Sequence, residues 1–160
     1  MTIQKLDIVV LDGHRHDVIH HNGGEPFVPA DHGLRPTWSS SACWRGYWCA
    51  YDVRDGRIIL DALHVNHQDS VPASQLKRPP SLNGVDAQRS TEPYITRWQY
   101  DNVGLWLRYT GALRIGREPY REPRSAQHVV PVARFGKVLE LAFEDGTLTS
   151  VQDAIEPERQ

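Results

Sequence analysis

Gly13-His14-Arg15-His16-Asp17, with His20 and His21 just beyond and His32 in the next segment, is the densest run of metal-binding side chains in the sequence. Imidazole and carboxylate are the natural ligands of zinc, iron and manganese, and a His-x-His at a strand end turns both rings to one side of a sheet. His14, His16, Asp17 and His20, with His64 as a further candidate, are therefore a possible divalent-metal set, and metal-assisted hydrolysis is the chemistry they would support. The plainer reading of the same residues, and the one that their spacing favours, is the histidine-rich polar surface of a hairpin with no metal or cofactor. A second set combines tryptophan and arginine: Trp44, Arg45, Tyr47, Trp48 and His64, with Asp61 nearby and Trp106 and Arg108 from a later strand. Large flat rings and directional donors dominate binding hot spots, so this set could line a groove for a small ligand, a sugar or a protein. Its structural alternative is that the tryptophans cap a β core and Arg45 closes a sheet edge.

Other chemistries find less support. The histidine run only loosely resembles the His-x-His-x-Asp-His signature of metallo-β-lactamase-type hydrolases: Asp17 stands one place early and no histidine follows where one is required. The sequence contains no Gly-x-Ser-x-Gly elbow, no P-loop and no Gly-x-Gly-x-x-Gly phosphate cradle. Asp52 and Asp61 could share a side of one hairpin, but two carboxylates alone do not make a glycosidase.

The elements that must position these residues are strands. Cys43 to Arg54 and Arg57 to Val65 flank Asp55-Gly56, a pair that accepts the positive φ of a two-residue type I′ turn, so Trp44 to Val65 reads as one long β-hairpin. Uninterrupted pairing puts Tyr51 opposite Leu60, Cys49 opposite Ala62 and Tyr47 opposite His64. One face then collects Tyr47, Cys49, Tyr51, Val53, Ile58, Leu60 and Ala62 as core. The other carries Trp44, Trp48, Ala50, Asp52, Ile59, Asp61 and Leu63, a mixed surface suited to a groove. Leu6 to Leu11, Asp12-Gly13 and His14 to His21 suggest a first hairpin, and Val138 to Glu144, Asp145-Gly146 and Thr147 to Val151 a last one, with Phe143 opposite Leu148.

Between these hairpins the signals vary. Glu25 to Ser41 is proline-rich and irregular, and residues 66–93 form one long irregular loop, a place for a lid, with at most a helical turn over Val71 to Leu76. Tyr94 to Tyr100 leans to strand. Leu105, Leu107, Tyr109, Leu113 and Ile115 alternate over eleven residues, with Gly111 marking a bulge or a large side chain packed close, such as a tryptophan. Glu118 to Arg124 is a surface loop, His128 to Ala133 an edge strand and Phe135-Gly136 a turn. Cys43 and Cys49, placed on one strand, lie about 20 Å apart and stay reduced. The expectation is all-β: a single-domain antiparallel sandwich or partly open barrel over residues 1–152, with a frayed tail from 153 to 160.

A chain of 160 residues can bury roughly 70% of its unfolded surface, enough for a core without disulfides or zinc. A net charge of −2 gives no general attraction for nucleic acid or anionic lipid. The first residues lack a secretory signal pattern and no run reaches the length of a membrane span, which suggests a cytoplasmic protein.

Ser41-Ala42-Cys43-Trp44-Arg45-Gly46-Tyr47 and the later Gly111-Ala112-Leu113-Arg114-Ile115 resemble the signature of a family of small uncharacterised bacterial proteins. In that family a Trp-Arg-Gly-Tyr segment opens a hairpin and a Gly-x-Leu-Arg-Ile strand follows. The resemblance covers Leu6 to about Val151 and implies a bacterial source and a β-rich domain, but carries no known activity. Two functional expectations result: a non-enzymatic binding or interaction domain presenting the Trp/Arg face to a small molecule or protein, or a metal-dependent hydrolase at His14, His16 and Asp17. Exposed strand edges also make a homodimer easy to build.

Overall fold

The computed structural model describes residues 4–38, 40–67, 78–93, 95–117 and 137–154. Three Asp-Gly pairs, at 12–13, 55–56 and 145–146, hold positive φ at both positions, the type I′ geometry whose twist matches that of paired strands. They join β1 (Ile8–Leu11) to β2 (His14–Asn22), β3 (Tyr47–Arg54) to β4 (Arg57–Val65), and β9 (Lys137–Glu144) to β10 (Thr147–Asp153). Between the last two hairpins lie β5 (Gln88–Arg89), β6 (Trp98–Tyr100), β7 (Leu105–Trp106) and β8 (Gly111–Arg117).

The strands run β10-β9-β8-β2-β1-β3-β4, and Thr147 pairs with Arg57 to close these seven into a barrel. Outside the ring, β6 and β7 both pair with β4, and β5 pairs with β6. The protein is thus all-β, and the barrel is the architecture formed. One pair departs from the antiparallel expectation: β1 and β3 are parallel, with Ile8 beside Ala50 and Val10 beside Asp52. A parallel neighbour requires a crossover, supplied by residues 23–46 with their prolines and a short 3-10 turn at Pro29–His32. Side chains fill the barrel: Val9, Tyr51, Ile58, Leu60, Leu63, Leu113, Ile115 and Leu141 are almost fully buried, and Phe27, Leu34, Leu82 and Ala87 from the connections join the same core.

The central hairpin follows the expected register only near its turn. Val53 faces Ile58 and Tyr51 faces Leu60, but a bulge at Asp61 then pairs Ala50 with Ala62, Cys49 with Leu63, Trp48 with His64 and Tyr47 with Val65. One extra residue swaps every later side chain of β4 to the other face, so Leu63 and Val65 are core and Ala62 is not. The extra residue has a use: the Asp61 carbonyl accepts the Val103 N–H, and its carboxylate pairs with Arg54, which also binds Asp52. Those two carboxylates therefore share one guanidinium.

Other sequence boundaries shift for equally local reasons. The run from Leu105 to Ile115 is divided between β7 and β8, because the Tyr109 ring folds over Gly111 and its hydroxyl donates to the carbonyls of Asn22 and Ala112. The large neighbour of Gly111 is thus a tyrosine. Only Trp98–Tyr100 of the next segment is strand, since Ile95 and Thr96 turn back to the Glu92 carbonyl. β3 begins at Tyr47, so residues 43–46, Trp44 among them, precede the strand and do not share it: the Gly46 N–H turns back to the Cys43 carbonyl and Gly46 holds φ +83°; both thiols are buried and free. The described part of the 66–93 excursion is packed, not open: Tyr100 donates to the Pro80 carbonyl, Asn83 donates to that of Val103, and Asn66 and His67 are buried. At the other end β10 continues through Asp153, and the Ala154 N–H still bonds to Val138. The expected helical turn at 71–76, loop at 118–124, edge strand at 128–133, turn at 135–136 and the tail beyond 154 lie outside the described residues, as does Tyr94. Among the described residues no helix is long and apolar enough to cross a membrane.

Candidate functional site

Because β1 and β3 run parallel, their starts meet at one rim, and β2 ends beside them. There the segment before β1, the end of β2 and the Cys43–Arg45 loop enclose a cleft of about 310 Å³, lined by residues 4–7, 18–21 and 43–45. Gln4 ties two of the walls together, donating to the Ser41 carbonyl and accepting the Trp44 N–H. The Lys5 N–H adds a bond to the Ala42 carbonyl. The Trp44 ring at the mouth is 56% exposed.

Asp7, only 7% exposed, anchors the cleft: its Oδ1 accepts from Arg45 at 2.8 Å and from the Cys49 N–H at 2.9 Å. Arg45 also reaches Glu25 at 3.2 Å, lies over the Tyr47 ring at 4.4 Å, and Tyr47 donates its hydroxyl to Glu25. Burial pushes the Asp7 carboxyl above the usual carboxylate range, against the pull of Arg45. Burial likewise opposes the Arg45 charge, but Asp7 outweighs it and holds the guanidinium above its ordinary value. The Tyr47 hydroxyl is raised by burial and then by its bond to Glu25. Burial also raises the Cys43 and Cys49 thiols, so neither has the thiolate character of a nucleophile. Asp7 was missed as a functional residue in the sequence, although a lone carboxylate inside Leu-Asp-Ile-Val-Val-Leu signals a buried charge that needs a cation.

The expected Trp/Arg set is dispersed. Trp44 and Arg45 belong to the cleft. Trp48, 7% exposed, packs with Ile8 and Cys43 on the outer wall and stacks on His64 with centroids 4.1 Å apart, while Lys5 covers its ring at 4.5 Å. Asp61 sits at its bulge beside Arg54. Both the Arg57 and the Arg108 guanidinium groups lie over the Trp106 ring, at 4.7 and 4.6 Å, with Arg108 bridging to Asp145, at the seam where β4 meets β10. Arg57 is opposite Arg54, about 20 Å along β3 from Tyr47, so one groove does not hold all eight residues.

The histidine run is dispersed as well. His14 is exposed beside its turn, whereas His16 is buried and donates its Nδ1–H to the His14 carbonyl at 2.9 Å. Asp17 is half-buried beside Ile8, and a bulge at Ile19 resets the strand before His20, which is exposed with its ring near His21. Among the described residues no three His, Cys, Asp or Glu side chains converge as a metal site.

These burials set a pH dependence. Burial lowers His16, His64 and His67 below the ordinary imidazole value. A depressed folded value means stability that is present above the unfolded value, near pH 6.5, and lost as pH falls through the folded one. Stability should therefore fall below about pH 6.5, each neutral histidine contributing a slope of up to about 1.4 kcal/mol per pH unit. His64→Phe, which keeps a ring against Trp48, should flatten the urea-midpoint profile by one proton's worth. An unchanged slope would remove His64 from the account.

Compared with protein-family models, curated proteins and solved structures, the chain matches none of them.

Proposed function

We propose that this protein is a non-enzymatic binding domain whose site is the cleft at the shared start of β1 and β3, with Trp44 at its mouth. The observation that carries this reading is the combination of a cleft about 310 Å³ in volume, a floor where buried Asp7 pairs with the partly exposed Arg45, and an exposed tryptophan at the opening. Ligand sites are concave, largely preformed, and have a few fixed polar groups among apolar walls. Here the filled barrel provides the rigidity, and Gln4 fixes the loop that bears Trp44. The binding surface is thus narrower than the whole Trp/Arg face: Trp44 and Arg45 serve it, Trp48 supports it from behind, and Trp106 and Arg108 close the barrel.

Two free, buried cysteines suit a reducing compartment, which supports placing the domain in the cytoplasm. The roles of Arg45, Gly46 and Tyr47 support the likeness to bacterial proteins with a Trp-Arg-Gly-Tyr segment, because each residue of that motif makes a specific long-range contact.

The test is a fragment screen by amide chemical shifts on wild-type protein and Trp44→Ala. The Trp44 side chain is mostly exposed and its backbone keeps the Gln4 bond, so the variant should change stability by less than about 0.5 kcal/mol. Hits should move the amides of Asp7, Ile19, His20 and Cys43 and weaken in the variant. Hits that map elsewhere, or ignore Trp44, would discard the cleft as the site.

A further inference from the structure

Resting on the cleft reading, we infer that its ligand is a small, uncharged aromatic ring bearing an N–H, which donates to Asp7 Oδ2 while the ring lies against Trp44. The fixed point is a half-used carboxylate. Asp7 is only 7% exposed, and both bonds that it accepts, from Arg45 at 2.8 Å and from the Cys49 N–H at 2.9 Å, end on Oδ1. Oδ2 takes no hydrogen bond from any described residue and is not sealed from solvent; the opening beside it is the cleft that Asp7 lines. A carboxylate oxygen with little access to water and no donor leaves the cost of burial uncompensated, and a ligand N–H placed there offsets it.

Charge favours a neutral partner. Lys5 and Arg45 are balanced by Asp7 and Glu25, and the Lys5 ammonium rests over the Trp48 ring at 4.5 Å, outside the lining of the cleft. A ligand cation on Oδ2 would crowd the Arg45 guanidinium already on Oδ1, and a ligand anion would face the Asp7 charge. The other polar groups of the wall do not set the ligand's polarity. A neutral imidazole at His20 or His21 has one donor and one acceptor nitrogen, Gln4 is engaged at both ends, and Arg45, its side chain 37% exposed, has solvent for its remaining N–H groups. An ionised Oδ2 can only accept. The rest of the lining, from Leu6, Val18 and Ile19, is apolar, and the exposed Trp44 ring offers a face for stacking. A volume of about 310 Å³ lies at the small end of ligand sites and suits one fused bicycle.

Indole, 1-methylindole and benzofuran share one bicyclic shape, and only indole carries an N–H, so they form the probe series. Amide chemical-shift titrations of the full chain should show indole moving Asp7, Ile19, His20 and Cys43 with a Kd of about 1 mM or tighter, and the other two binding about fivefold or more weakly. Asp7→Asn keeps an acceptor for Arg45 and the Cys49 N–H and puts an NH2 where Oδ2 was. It should bring indole down to the affinity of 1-methylindole, whose own value stays the same. The three ligands compared on the wild type need no variant, so they decide even where Asp7→Asn does not fold. If 1-methylindole and benzofuran bind the cleft as tightly as indole, or if Asp7→Asn keeps the preference for indole, the donor assignment is wrong and the cleft reading stands. If none of the three moves cleft resonances while other fragments do, the ligand class is wrong and the cleft reading again stands. If no fragment moves them, the cleft reading and this inference fall together.

Discussion

Gly46→Ala is expected to cost on the order of 4 kcal/mol or more, a large share of the roughly 5–15 kcal/mol that holds an ordinary domain folded. Two effects add. Gly46 sits at φ +83°, where an alanine is strained by roughly 1–2 kcal/mol. A Cβ there would also collide with the backbone of Thr37, at its carbonyl oxygen first. Neither segment can withdraw cheaply, because Asn66 ties them together: its N–H donates to the Gly46 carbonyl at 2.7 Å and its side-chain amide donates to the Thr37 hydroxyl and the Trp38 carbonyl. The Thr37 N–H in turn donates to the Asn66 carbonyl. Gly56→Ala is the matched control, since φ is +74° but open space surrounds its would-be Cβ. It should lose only the strain. Urea unfolding of both variants separates the two effects, and equal losses would show that the Thr37 backbone can move aside.

What the sequence revealed and what it concealed divide along the range of the interaction. The Asp-Gly turns were legible because a two-residue hairpin is decided by residues next to each other, and Phe143 does face Leu148 as the pattern predicts. The bulge at Asp61 was not, because it is fixed by Arg54 on the partner strand and by Val103 some forty residues on, and nothing in the alternation of β4 announces it. From that point the assignment of faces inverted, moving Leu63 into the core. The tryptophans illustrate the same limit. Trp44 and Trp48 are four residues apart and alike in type, yet one is exposed and one buried, since Lys5 and Ile8, from another part of the chain, join Cys43 in covering Trp48. The histidine run drew attention by density alone, and the strand pleat and the Ile19 bulge then spread its side chains apart. Asp7 and Glu25, which do meet at Arg45, are 18 residues apart and belong to no spacing motif.

Removing Arg45 should be the largest electrostatic perturbation available. Arg45→Met keeps much of the aliphatic stem but removes the guanidinium from the Tyr47 ring, and it leaves the Asp7 carboxylate with the Cys49 N–H and no cation. Stranding a buried charge costs about 3–5 kcal/mol, far more than the pair itself contributes, because the cost of burial remains when the attraction is gone. Asp7→Asn in the same background should recover a large part of that loss, since the amide still accepts from Cys49 and needs no counter-charge. The sign of the pH effect follows. Burial already raises Asp7 with Arg45 present, and without the guanidinium the raised value moves higher. A carboxyl raised in the folded state favours folding as pH falls through that value, so the Arg45→Met deficit should shrink between pH 7.5 and pH 5, whereas the double variant should show no such recovery. Urea midpoints at the two pH values give the comparison. A deficit that ignores pH would assign Arg45 to packing over Tyr47, and the floor of the cleft would then be an apolar contact with an ion pair attached, not a buried charge held by its partner.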